Sequence, residues 1–240
     1  RALGERDCFV VGHDWGAPVA WHCALLRPDL FRAVAGLSVP FQPRRPSGPP
    51  TPAMAVLSKR AGLGDLYINR LQAADAHEPF DADPATALRK MFWSYDGATS
   101  DADQSTGFLP PGVSMLDHVP DHATLPPWMS PEHFADYVAA FSASGFDGPV
   151  NWYRAMDLNW SLTAFVQGQK IHQPALFIVG ERDPVRHYSG AHEAGMADWL
   201  TDLRDRIVIP GAGHWIQQER PDAVNAALLD FFGQVGVAGG

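Results

Sequence analysis

Short apolar runs broken by polar turns mark both ends of this chain. The run "DCFVV" (residues 7–11) is rich in β-branched and aromatic side chains and bounded by charge and glycine, which predicts a buried strand. "FRAVAGLSVP" (31–40) contains a second strand, "QPALFIVGERD" (173–183) a third and "DRIVIPGAGHW" (205–215) a fourth. Helix-like runs cover 17–26, 188–200 and 221–232. Apolar strands in alternation with helices predict an α/β protein with a mostly parallel sheet covered on both faces.

From about residue 42 to 170 the pattern changes. Strand signals are lacking, a proline-rich entry spans 43–52, and aromatic residues are frequent. This predicts a core built from 1–41 and 171–240, with 42–170 inserted as a helical cap. One cap helix is explicit in "SPEHFADYVAAFSASG": Ser130 caps it, Pro131 occupies its first turn and Gly145 stops it. No internal repeat is visible.

With 240 residues the chain can bury a real core, and 46% apolar and 19% charged residues are ordinary for a globular protein. A net charge of −9 argues against nucleic-acid binding, which depends on neutralising phosphates with Lys and Arg, and suits a cytoplasmic protein. Cys8 and Cys23 lie in apolar runs and are expected as buried free thiols rather than a disulfide. No apolar run has membrane-spanning length, and neither a signal peptide nor a membrane partner is expected. Nothing in the residues sets an oligomeric state. The chain opens with Arg1 rather than Met, which leads us to expect that a preceding piece is missing.

The stretch "VVGHDWGAPVAWHCALL" places Asp14 between Gly12 and Gly16, where a predicted strand meets a predicted helix. A strand, a small-x-acid-x-small turn and a helix together form a nucleophile elbow. Its tight turn lifts the central side chain above the sheet, and the helix N-terminus favours a negative charge there. An acid and a histidine should then follow in that order. Asp183 ends the third strand in "VGERDPV", and His214 follows the fourth in "PGAGHW". Both lie just beyond carboxyl ends of strands, where open α/β sheets keep their sites.

The motifs "GHDWG", "SVPF", "GERD" and "GAGHW" resemble the epoxide hydrolase branch of the α/β-hydrolase fold. "SGFDGPVNWYR" (144–154) resembles the cap segment that carries a catalytic tyrosine in soluble epoxide hydrolases. The resemblance implies a partial α/β-hydrolase core with an inserted helical cap. It implies Asp14 as nucleophile, His214 as base, Asp183 as its partner and Tyr153 as a lid tyrosine. "LYINRLQ" resembles the region of the second lid tyrosine, which makes Tyr67 the candidate and Tyr137 the fallback. The implied reaction converts a small apolar epoxide and water into a vicinal diol through an aspartyl ester, with no cofactor.

These residue types suit that chemistry. A carboxylate, with an ordinary pKa of ~3.9, is ionised at neutral pH and attacks an sp³ carbon without a base. The histidine is then free to activate water against the ester. An opened epoxide leaves an alkoxide, and two tyrosine hydroxyls with an ordinary pKa of ~10 can hold it and supply a proton. Haloalkane dehalogenases resemble this chain at "GHDWG", but a halide leaves without a proton and is held by N–H donors, often from a Trp beside the nucleophile. Trp15 fits both enzymes; the paired tyrosines favour the epoxide. A non-catalytic, ligand-binding relative is the alternative of another class, and the intact Asp14, Asp183 and His214 count against it.

The Trp15 amide is the expected oxyanion donor, and Trp15, Trp215 and Trp152 are the expected substrate contacts, with core packing the competing role for Trp215 and Trp152. Trp128, Trp160 and Phe141 are expected in the cap core, and His13 as a structural neighbour of the elbow. His118 and His122 in "DHVPDHATLPP" have metal-like spacing, but a proline-containing loop does not put them on one helical face, so no metal is expected. One departure stands out. The family's "HGxP" motif, which supplies a second oxyanion N–H ahead of the elbow, has no counterpart before Asp14. Loss of one such donor costs ~10²–10³ in rate in another hydrolase. We therefore expect a chain lacking the N-terminal part of its core, with strand 7–11 as an exposed edge. Residues 1–240 alone are expected to be poorly soluble and to show little epoxide hydrolysis.

Overall fold

The computed structural model describes residues 4–62 and 64–237; Arg1 lies outside them. In chain order the elements begin with β1 (Cys8–His13), α1 (Gly16–Leu26) and β2 (Phe31–Leu37). There follow α2 (Pro50–Ala61), β3 (Asp65–Leu66), α3 (Tyr67–Arg70), α4 (Glu78–Ala82), α5 (Pro84–Ser94) and β4 (Phe108–Leu109). Next come α6 (Met115–His118), α7 (Pro131–Ser144), α8 (Asp147–Arg154) and α9 (Met156–Leu162). The chain ends with β5 (Ala175–Gly180), α10 (Arg186–Ala194), β6 (Leu203–Ile209), α11 (Ile216–Glu219) and α12 (Pro221–Val237). Two compact units result, divided between Pro43 and Arg44 and between Phe165 and Val166.

The first unit is built on a parallel sheet of order β1-β2-β5-β6. Both faces are buried along the inner strands β2 and β5, where period-two alternation divides the side chains between two cores. Val34, Ala175, Phe177 and Val179 face one side, where they pack with Ala17, Ala20, Trp21 and Ala24 of α1. Ala33, Ala35, Leu176 and Ile178 face the other, against Val224, Phe231 and Val235 of α12. Helix α1 is apolar almost all round, yet its buried residues recur at spacings of three or four, so one stripe meets the sheet. Three alanines on that stripe let it approach closely, and the Trp21 indole donates to the Val39 carbonyl at 3.1 Å.

Two expectations need correction here. Cys8 is exposed and Cys23 partly exposed, both as free thiols. Cys8 opens β1, which is an outer strand of the described sheet, so an apolar run does not guarantee burial. The helix expected over 188–200 begins at Arg186 and ends at Ala194; after Gly195 the chain tightens into one 3₁₀ turn, Met196–Asp198.

The second unit is mainly helical. Its α7 has the expected ends: the Ser130 hydroxyl accepts from the His133 amide at 3.1 Å, and Gly145 takes a positive φ of 69°. It also contains an antiparallel pair, β3 with β4, in a region where no strand was expected. Each strand has two residues, too short to leave an alternation in the sequence, and they are joined across some forty positions. Trp128 packs edge-on against Phe92, Phe141 stacks on Phe146 at 4.6 Å, and the Trp160 indole donates to the Arg45 carbonyl at 2.9 Å. Trp152, in the short helix α8, is 48% exposed, so it is not a core residue of this unit. Among the described residues no helix is long and apolar enough to cross a membrane.

Candidate active site

Parallel register sets the site. His13 of β1 pairs with Leu37 of β2, Leu37 with Ile178 of β5, and Gly180 of β5 with Ile209 of β6, so the carboxyl ends of all four strands are neighbours. The residues just beyond those ends are Asp14, Ser38, Asp183 and His214.

Asp14 turns the chain from β1 into α1 with φ 49°, in the left-handed region that a non-glycine residue rarely adopts. The turn is tight because Gly12 and Gly16 nearly touch: a Cβ on Gly12 would lie 1.9 Å from the Gly16 carbonyl oxygen. A Cβ on Gly16 would meet nothing within 4 Å among the described residues, so only the first glycine is sterically required. The loop carrying His214 crosses the end of β5 just as closely, where a Cβ on Gly180 would lie 2.0 Å from the Gly213 carbonyl oxygen.

His214 is buried between two carboxylates. Its Nε2 is 3.4 Å from Asp14 Oδ1, and its Nδ1 is 3.2 and 3.3 Å from the Asp183 oxygens. Asp183 is itself anchored, since its Oδ1 accepts from the Val185 amide at 2.9 Å. Burial opposes a charge on the imidazole, but Asp183, then Asp14, outweigh it and raise the pKa to about 10. Burial likewise opposes the Asp14 charge, but the His214 hydrogen bond holds Asp14 below the usual carboxylate range, with the Trp15 amide adding a smaller pull. The resting site is therefore an Asp14 carboxylate beside a His214 imidazolium. The Asp14 side chain keeps 35% of its surface exposed, while that of Asp183 is fully covered, so Asp14 is the carboxylate a ligand can reach.

The surroundings hold this arrangement. His13 Nε2 lies 2.8 Å from the His214 carbonyl oxygen, which can only accept, so that nitrogen carries the proton. Burial first, and then the charge on His214, lower the His13 pKa to about 4, which keeps it neutral. Trp215 packs edge-on against the His214 ring at 4.9 Å. Two residues were missed in the sequence. Glu219 takes the amides on both sides of His214, Gly213 at 2.8 Å and Trp215 at 3.0 Å. Ser38 lies between Asp183 and His214. For Glu219, the only signal was an acid five residues after the histidine; Ser38 sat inside "SVPF", quoted above without a role.

In the second unit, Tyr67 and Tyr153 come together with ring centroids 5.8 Å apart and rings nearly perpendicular. Tyr67 opens α3 and Tyr153 lies near the end of α8. Arg154 joins these segments by donating to the Ala73 and Ala74 carbonyls, and Gln72 donates to the Tyr153 carbonyl at 2.8 Å. Tyr137 does not join them; it packs against Phe92 at 5.3 Å. His118 ends α6, and His122 stacks on Trp93 at 4.6 Å. Among the described residues no cluster of three or more His, Cys, Asp or Glu could hold a metal ion.

A strand-borne acid on an elbow, beside a histidine held by a second acid, defines a class. The chain belongs to the α/β-hydrolase fold family, which matches residues 1–221. Epoxide hydrolase A of Mycobacterium tuberculosis is 42% identical over 237 residues, covering 95% of this chain and 70% of that protein. Epoxide hydrolase 3 of Siraitia grosvenorii is 36% identical, covering 95% and 71%. Among solved structures, an epoxide hydrolase from an endophytic Streptomyces superimposes with a TM-score of 0.88 at 35% identity, over 96% of this chain and 69% of that one. Epoxide hydrolase A from Mycobacterium thermoresistibile gives 0.83 at 39% identity, over 96% and 70%. Within the fold family, then, this chain is one of the epoxide hydrolases, hydrolases that act on epoxides.

Proposed function

We propose that the chain hydrolyses its epoxide in two steps through an ester on Asp14. The observation that carries this is the partly exposed Asp14 carboxylate 3.4 Å from His214 Nε2, with Asp183 behind the imidazole. In the first step an Asp14 oxygen attacks an epoxide carbon and the ring C–O bond breaks. The freed oxygen takes a proton from a tyrosine hydroxyl, which solvent later restores. Tyr153 and Tyr67 are the donors in this reading.

The ester removes the negative charge of Asp14 from beside His214. One of the two carboxylates that hold the imidazole proton is then gone, and His214 becomes able to shed it. In the second step water adds to the ester carbonyl and gives its proton to His214 Nε2. The Trp15 amide supports the oxyanion. Collapse passes that proton to the departing diol oxygen and leaves Asp14 as a carboxylic acid, whose proton then moves to His214 and restores the carboxylate beside an imidazolium. Trp15, Trp215 and the exposed Trp152 contact an apolar epoxide, and the protein works in the cytoplasm.

Trapping the ester in the full-length protein tests this. His214→Gln incubated with an epoxide should gain the mass of one substrate on the peptide containing Asp14. That peptide unmodified at saturating substrate refutes the two-step route.

A further inference from the structure

Strand β2 lies between β1 and β5, so the residue that follows it faces both halves of the site. That residue is Ser38, which is fully buried. Its backbone has φ 71°, and its amide donates to the Ile178 carbonyl at 2.8 Å. Its hydroxyl oxygen lies 2.6 Å from Asp183 Oδ2 and 2.9 Å from His214 Nδ1, and His214 Nδ1 is nearer to this oxygen than to either Asp183 oxygen.

The proton count fixes the directions. An Asp183 carboxylate only accepts, so the single hydroxyl proton of Ser38 goes to Oδ2. The Ser38 oxygen then has lone pairs toward Nδ1, and the imidazole N–H donates to it. The backbone alone does not call for serine, because glycine adopts this φ without strain. What serine adds is the hydroxyl.

We propose that Ser38 is a positioning residue that relays the hydrogen bond between Asp183 and His214. It aims Nε2 at the water that attacks the Asp14 ester. This rests on the two-step reading above. The first step, attack by Asp14 on the epoxide, does not use His214 as a base, so the relay acts on ester hydrolysis alone.

Ser38→Gly removes the hydroxyl and relaxes the backbone; Ser38→Ala removes the hydroxyl and keeps Cβ. Rates of Asp14 alkylation and of ester hydrolysis are to be measured in single turnovers, beside steady-state kcat and KM. Both variants should slow ester hydrolysis by ~10–100-fold, the range for one hydrogen bond to a charged group, with little change in alkylation. kcat and KM should fall together, and the alkylated protein should accumulate in the mass spectrum. A purely structural role predicts that Ser38→Gly keeps wild-type rates. Wild-type kcat in a folded Ser38→Gly protein, or a loss of kcat with KM unchanged and no accumulated ester, overturns the inference. Absence of any ester in His214→Gln as well would overturn the two-step reading, and this inference with it.

Discussion

Gly12→Ala tests the geometry of the elbow. The added methyl carbon would start 1.9 Å from the Gly16 carbonyl oxygen and 2.8 Å from the Ala17 amide nitrogen. Real Cβ contacts do not fall below 3.0 Å, so strand and helix must separate by ~1.1 Å at this point. Both obstructing atoms are backbone, and no side chain can swing aside. Strand β1 is tied to β2 along its length, so the shift falls on the turn holding Asp14. Overpacking of this kind costs ~1–3 kcal/mol. A reacting group displaced by about 1 Å loses on the order of 10²-fold in rate. Gly16→Ala is the control: it has open space and ordinary helical φ, and alanine favours a helix over glycine by up to ~1 kcal/mol. Urea denaturation and diol formation should show Gly12→Ala destabilised and nearly inactive, with Gly16→Ala close to wild type. Wild-type turnover in Gly12→Ala, or equal damage in both variants, would refute the steric account.

Two further outcomes follow from the tyrosine pair and from the histidines His13 and His214. Tyr153→Phe should slow alkylation and leave hydrolysis of a preformed ester nearly intact, and the double variant with Tyr67→Phe should lose ~10²–10⁴-fold, the span of general acid catalysis; wild-type alkylation in the double variant would remove both tyrosines from the mechanism. The His214 pKa rises on folding from 6.5 to about 10, so its stabilising contribution is complete below about pH 6.5 and is lost as pH rises toward 10. His13 has the opposite sign: lowered to about 4, it costs stability as pH falls from 6.5 toward 4. Thermal unfolding of the wild type against pH should decline on the alkaline side, and His214→Gln should flatten that decline; an unchanged slope in the variant would contradict the ion-pair description.

Local chemistry made much of this protein legible in one dimension. Strand and helix runs carry their own periodicity, so the α/β class, the four strands of the parallel sheet and the caps of α7 could be read directly. Asp14, Asp183 and His214, which the fold brings together, could be singled out because each is a polar group placed just after a strand, where such sheets gather functional groups. What the sequence could not display depends on strand order and on contacts between distant segments. Ser38 is a small neutral residue with no periodic signal, and it meets Asp183, 145 positions away, only because β2 lies between β1 and β5. Tyr67 pairs with Tyr153, and Tyr137 does not, because Arg154 and Gln72 join α8 to the loop after α3. Cys8 sits in an apolar run like a core residue, yet its exposure is decided by the position of β1 in the sheet. Turn shape and residue type are local properties of a chain; which groups share a proton is set by the order in which its strands pack.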